Sequence, residues 1–259
     1  MTWQNDFAAL VRHEFKWSRH VNITEGKHRA SRWILFYVAL AIIFGISFFT
    51  YVVLRQNFQP QYMWYFTFWL PWMAFGFAIH IVGREWQHNT FGWWLALPYS
   101  RIKLIAAKYV AILLQACIVY CGAFTVIILL SLYYQLLPGH LPVDMSTFLL
   151  WGLLFFTLFI AIFPFMAAAG ILIGILTKSR KKPVLPLLGI VLWMIFGGFF
   201  WLLSAGNGEN SLYTALSDPN AAVYFPFSPL LIGSIVSSWI VAVFILVFAA
   251  RLLERDLNL

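Results

Sequence analysis

The sequence predicts an all-α polytopic membrane protein: six transmembrane helices with an interfacial helix at the N-terminus. Three observations predict it. Of 259 residues, 62% are hydrophobic and only 10% are charged, too few charges to solvate a soluble domain of this length. Six apolar runs each supply the roughly 20 residues that a bilayer core of about 30 Å demands. All 17 Lys and Arg lie between these runs, and only Arg55 lies outside alternate gaps. A β-barrel is excluded, because its strands are short and alternating, whereas these runs are continuous.

Residues 2–20 read as the interfacial helix. Phe7, Leu10, Val11 and Phe15 recur at helical spacing, with Arg12, Lys16 and Arg19 on the other faces, the pattern of a basic helix lying along a membrane surface. The spans follow at about 34–54, 62–82, 109–132, 147–177, 184–204 and 230–250, forming one transmembrane domain over 1–259. Pro71 at the centre of the second predicts a kink whose freed carbonyl a neighbouring helix covers. The fourth, with Pro164 near its middle, is long enough to be strongly tilted or broken in two. Its second half carries Gly170 and Gly174, a small-xxx-small pair that lets two helix backbones approach closely, within the chain or between protomers; Gly197 and Gly198 raise the same question. Cys117 and Cys121, one turn apart in the third span, read as packing residues and not as a disulfide or a metal pair.

The charge pattern sets the orientation. Six basic residues precede the first run. Four (Arg84, Arg101, Lys103, Lys108) separate the second from the third, four (Lys178, Arg180, Lys181, Lys182) the fourth from the fifth, and two (Arg251, Arg255) follow the sixth. Basic residues beside spans stay cytoplasmic, so both termini are expected inside, in the cell membrane. The segments 135–146 and 205–229 carry no Lys or Arg and are expected outside, the second as a long external loop. The first apolar run is full length and begins after 33 residues, so no cleavable signal peptide is expected, and the Asn22-Ile23-Thr24 sequon falls on the cytoplasmic side. The net charge of +8 is split among four short segments. That suits attraction to anionic headgroups and excludes a nucleic-acid-binding face.

The function classes narrow in the same way. No Asp, Glu, Lys or Arg lies inside a span. Ion-coupled carriers depend on such groups or on an unwound polar site at mid-membrane, so energy for transport has to come from outside these helices. No P-loop is present: Gly26-Lys27 lacks the earlier Gly and is followed by His28. His80, Arg84 and His88 recur every four residues beside Glu85, but two imidazoles about 12 Å apart along a helix do not share one ion. His80 instead reads as snorkelling toward water. Neither a catalytic residue, a metal ligand nor a cofactor-binding residue is expected. A non-transporting intramembrane enzyme or a membrane scaffold is the competing class.

The segment between the second and third spans is the richest: a helix extension through Glu85, a polar break at His88-Asn89-Thr90, a short amphipathic helix with Phe91, Trp93, Trp94, Leu95 and Leu97, and a stop at Pro98. Thr90 or Asn89 is placed to cap that helix. This stretch resembles the intracellular coupling loop of ABC-2-type ABC transporter permeases, which runs acidic residue, Gly-Thr, Leu pair, Pro-x-Ser-Arg, then Lys at the head of the third span. Glu85, Thr90, Leu95, Pro98, Ser100, Arg101 and Lys108 fall at matching spacings. The departures are Asn89 for Gly, Gly92 for an acidic residue and Trp94 for the first Leu.

The resemblance implies an ABC-2, type V exporter-like architecture. It implies a permease that pairs with a second copy or a paralogue, contacts membrane lipids, and docks a separate ABC ATPase, on which ATP and Mg would be bound. The loop 84–108 would couple the two, with Glu85, Asn89, Thr90, Phe91, Trp94, Leu95, Leu97, Pro98 and Arg101 at the ATPase contact. Residues 90–97 would enter a groove on the ATPase, and Glu85 and Arg101 would hold the flanking chain ends by salt bridges or caps. The aromatic, uncharged spans favour export of an amphipathic peptide, antibiotic or lipid-like substrate.

Overall fold

The computed structural model describes residues 3–20, 27–55, 58–88, 90, 92, 96–137, 144–177, 179, 182–204 and 229–256. All regular structure among them is helical: α1 (Trp3–His20), α2 (Lys27–Arg55), a 3₁₀ segment (Pro60–Trp69), α3 (Leu70–Gln87), α4 (Arg101–Leu136), α5 (Met145–Leu176), a 3₁₀ turn (Lys182–Val184), α6 (Leu185–Ser204) and α7 (Pro229–Asp256). Among the described residues, five helical stretches are long and apolar enough to cross a membrane: 35–54, 60–87, 101–136, 145–176 and 235–254. The remaining expected crossing falls on α6, where Lys182–Gly198 is a shorter apolar helix. The external loop expected at 205–229 lies, apart from Pro229, outside the described residues.

Several helices overrun their apolar runs at the basic end. α2 starts at Lys27, α3 continues to Gln87, α4 starts at Arg101 and α7 reaches Asp256. Polar residues there extend the backbone hydrogen bonding of each span beyond its hydrocarbon-length segment.

The two span prolines behave differently. Pro71 occupies the first turn of α3, where its missing N–H has no helical partner to lose. The expected mid-span kink is therefore replaced by a change of helix type, from 3₁₀ to α, at Trp69–Leu70. Pro164 lies inside α5, which continues unbroken for 32 residues. At 1.5 Å per residue this is about 48 Å, so α5 exceeds a bilayer core of about 30 Å and is not divided in two. Two carbonyls near the proline accept from other helices: Ser238 of α7 donates to the Ala161 carbonyl, and Tyr109 of α4 to that of Pro164 at 3.3 Å.

Helix α5 is the hub of the bundle, packed against α3 and α7 and also touching α4 and α6. Its start is capped by Asp144, which accepts from the Thr147 hydroxyl (2.6 Å), the Ser146 hydroxyl (2.7 Å) and the Ser146 N–H (3.1 Å). These bonds, those from the Thr147 and Ser146 hydroxyls first, hold the Asp144 carboxyl below its ordinary value. Along α5 the core changes character. Near Asp144 it is aromatic, with Trp64, Phe148, Trp151, Phe155 and Phe159 buried together, and the Trp64 indole N–H donates to the Phe148 carbonyl at 3.0 Å. Toward the basic end it is aliphatic, with Ile81, Val82, Ile105, Ile171, Ile175 and Leu253.

Gly170 and Gly174 face α3 within the same chain. A Cβ at Gly170 would stand 2.6 Å from both the Ala78 Cβ and the Phe75 carbonyl oxygen, and one at Gly174 2.9 Å from the Val82 Cβ. The small-xxx-small pair thus serves an intrachain contact. Gly197 and Gly198 have nothing within 4 Å of such a Cβ. α2 stands apart: its apolar residues from Leu35 to Phe48 are exposed, and it is held near its far end, where Thr50 and Tyr133 share a 2.9 Å hydroxyl bond and Phe49 packs edge-on to Phe58.

Candidate functional site

The basic end of the bundle holds a cluster of four charges drawn from three helices. Lys108, two turns into α4, places its ammonium 2.7 Å from Glu14 Oε2 of α1 and 2.8 Å from Glu85 Oε1 of α3. The side chains are 2%, 8% and 12% exposed respectively, so Lys108 is not a headgroup-facing cation. Arg84 is also buried, at 6%, within electrostatic reach of Glu85 and Glu14. Two carboxylates and two cations leave the cluster formally neutral, the condition under which buried charge is tolerated.

Local chain geometry explains how Glu85 reaches its partners. The His88 N–H donates to the Arg84 carbonyl and the Thr90 N–H to that of Glu85, both at 3.0 Å. The second bond closes six residues onto one, the Schellman ending of a helix. The Thr90 hydroxyl turns back to Glu85 Oε2 at 2.6 Å. Thr90 therefore terminates α3 and fixes the Glu85 carboxylate. Glu85 is thus held from two sides, by Thr90 on the loop and by Lys108 on α4.

Beyond Thr90, Gly92 and Ala96 are helical, and Leu97–Tyr99 bends toward Ser100. Asn89, Phe91, Trp93, Trp94 and Leu95 lie outside the described residues. Leu97 (38% exposed) and Pro98 face outward. Arg101 begins α4, and the Ser100 carbonyl accepts from the Lys103 and Leu104 N–H groups at 3.0 and 3.2 Å. Glu85 pairs with Lys108, seven residues past Arg101, because α4 starts early enough to carry Lys108 into the interior. Lys103 lies over the Tyr99 ring, 4.5 Å from its centroid, which steadies the exit of the loop.

Glu14 is the member that sequence reasoning missed. A signal was available: Phe7, Leu10, Val11, Glu14 and Phe15 share one face of α1, so an acidic residue sits on an apolar stripe. Among the described residues, no group of three or more His, Cys, Asp and Glu stands together as metal ligands; His80 and His88 are both exposed.

The arrangement is a set of ion pairs and hydrogen bonds between helices. It locks a loop between two spans to those spans and to an N-terminal helix. A family profile of ABC-2 family transporter proteins matches residues 35–221, more than half of the chain. The chain belongs to the ABC-2 transporter family. No curated protein and no solved structure matches it. The chain is therefore a multi-pass membrane permease of an ABC transporter, the transmembrane subunit of a family that normally works with an ABC ATPase. This overturns the competing class of intramembrane enzyme or scaffold. The matched region holds the whole loop with Glu85 and Lys108; Glu14 and α7 lie outside it.

Proposed function

We propose that this permease exports an amphipathic peptide, antibiotic or lipid-like substrate, driven by a separate ABC ATPase that docks on the 88–98 loop. Both termini and that loop face the cytoplasm in this reading, and the permease works as a dimer with a second copy or a paralogue. The observation that carries it is the anchoring of the loop. Thr90, three residues past the end of α3, is bonded to Glu85, and Glu85 to Lys108 and through it to Glu14. A push on the loop from an ATPase passes into α3, α4 and α1 together and does not dissipate in a slack connection. α3 in turn is packed against α5 at Gly170 and Gly174, so the displacement reaches the hub. The basic residues gathered at this end agree with a cytoplasmic face.

The test is copurification. The double variant Leu95→Asp/Leu97→Asp is expected to insert into membranes at the wild-type level while losing the ATPase subunit encoded with it. An inserted double variant that still brings down the ATPase would overturn the docking assignment.

A further inference from the structure

An apolar groove of about 720 Å³ runs between α1 and α4, within the range of roughly 300–1,000 Å³ typical of small-molecule sites. Phe7, Val11 and Phe15 form one wall and Leu114 and Ile118 the other. Arg12 is the one charged residue among those lining it, and it takes part in neither ion pair among the described residues. Cys117 and Cys121, expected to be packing residues, are exposed on the α4 wall.

We propose that this groove binds the acyl chain of one anionic phospholipid, with the Arg12 guanidinium holding its phosphate. The walls demand an apolar occupant, and the groove lies on a chain whose surroundings are bilayer. Its lone cation selects the sign of the headgroup, and the planar fork of arginine suits a phosphate. The groove also persists, because Glu14 on Lys108 anchors α1 to α4. A bound lipid would stiffen α1 beside that anchor. The site therefore ties lipid headgroup charge to the helix that carries Glu14. The inference does not depend on the ATPase reading, since it concerns the permease alone.

The test uses the two cysteines, the only ones in the chain, as reporters that need no engineering. The full chain is placed in nanodiscs of phosphatidylglycerol or of phosphatidylcholine, and its labelling by a small apolar maleimide is timed. Labelling is expected to be at least tenfold slower in phosphatidylglycerol, and Arg12→Gln is expected to abolish the difference. Ile118→Trp, which fills the groove, is expected to lower the phosphatidylglycerol that remains bound in native mass spectrometry. Equal rates in both lipids, or a difference that survives in Arg12→Gln, would overturn the proposal. Efficient bis-maleimide cross-linking of Cys117 or Cys121 between two copies would overturn it too, since a second permease would then cover the groove.

Discussion

Replacing Lys108 with Met isolates the charged cluster, because the new side chain keeps the length and removes only the ammonium. The change abolishes two charge-assisted hydrogen bonds, at 2.7 and 2.8 Å, each worth about 1.5–3 kcal/mol. It also leaves Glu14 and Glu85 facing each other with little solvent. Breaking a buried pair by removing one partner costs about 3–5 kcal/mol, and Arg84, in reach of both carboxylates, places the expected loss toward the lower part of that range. At about 2–4 °C per kcal/mol for a chain of this size, Lys108→Met should melt about 6–12 °C below wild type. Tryptophan fluorescence in nanodiscs reads this directly. The decisive companion is Glu14→Gln/Lys108→Met, which leaves Arg84 and Glu85 as a balanced pair and should recover at least half of the loss. A single variant that melts within about 2 °C of wild type, or a double variant as unstable as the single, would refute the neutral-cluster argument.

Two further substitutions probe the packing by the same melting assay. Gly170→Ala introduces a Cβ at 2.6 Å from the Ala78 Cβ and the Phe75 carbonyl and should cost about 1–3 kcal/mol by overpacking. Gly76→Ala, with open space around the new Cβ, should be neutral or stabilise α3 by up to about 1 kcal/mol, and the reverse ranking would contradict the α3–α5 contact. The Tyr120 hydroxyl is buried without a hydrogen-bond partner among the described residues. Tyr120→Phe should accordingly leave the melting temperature unchanged or raise it, since deleting an unsatisfied buried hydroxyl removes a desolvation penalty of about 1–3 kcal/mol; a clear fall would reveal a partner.

What the sequence made legible follows from the range of each interaction. Spans are local: twenty apolar residues are visible in one window, and the basic gaps between them order the helices. α1 was legible from the spacing of Phe7, Leu10, Val11 and Phe15, and the Glu85–Lys108 segment from residue order alone. The pairings were not. Lys108 and Glu14 are separated by 94 positions, and nothing periodic in one helix names its partner in another. The boundary of α4 hid the rest: with the third span drawn from 109, Lys108 stood in the headgroups, whereas a helix starting at Arg101 carries it inside. Pro71 misled because hydropathy does not distinguish a 3₁₀ segment from an α-helix, so a first-turn proline looked like a central one. Gly170 and Gly174 announced a close approach but left open which backbone would fill it, a question of tertiary geometry alone.

The placement of charge bears on how the permease can be driven. The apolar runs contain no Asp, Glu, Lys or Arg, while four charges stand buried at one end, joined to a loop. In a core held by dispersion and apolar contacts, a small displacement changes many weak contacts by little. A hydrogen-bonded charge cluster instead changes energy steeply with distance, because separating its members exposes unpaired charge. The Thr90–Glu85–Lys108–Glu14 chain is therefore a stiff link between the loop and the bundle, and α3 is one element it moves. Since Gly170 and Gly174 bring α3 into backbone contact with α5, a shift of α3 cannot be absorbed by side-chain rearrangement at those two turns. It must carry α5 with it, and with α5 the carbonyls at Ala161 and Pro164 that Ser238 and Tyr109 tie to α7 and α4. A displacement entering at one loop thereby reaches five helices, α1, α3, α4, α5 and α7, through ion pairs, backbone contact and interhelical hydrogen bonds.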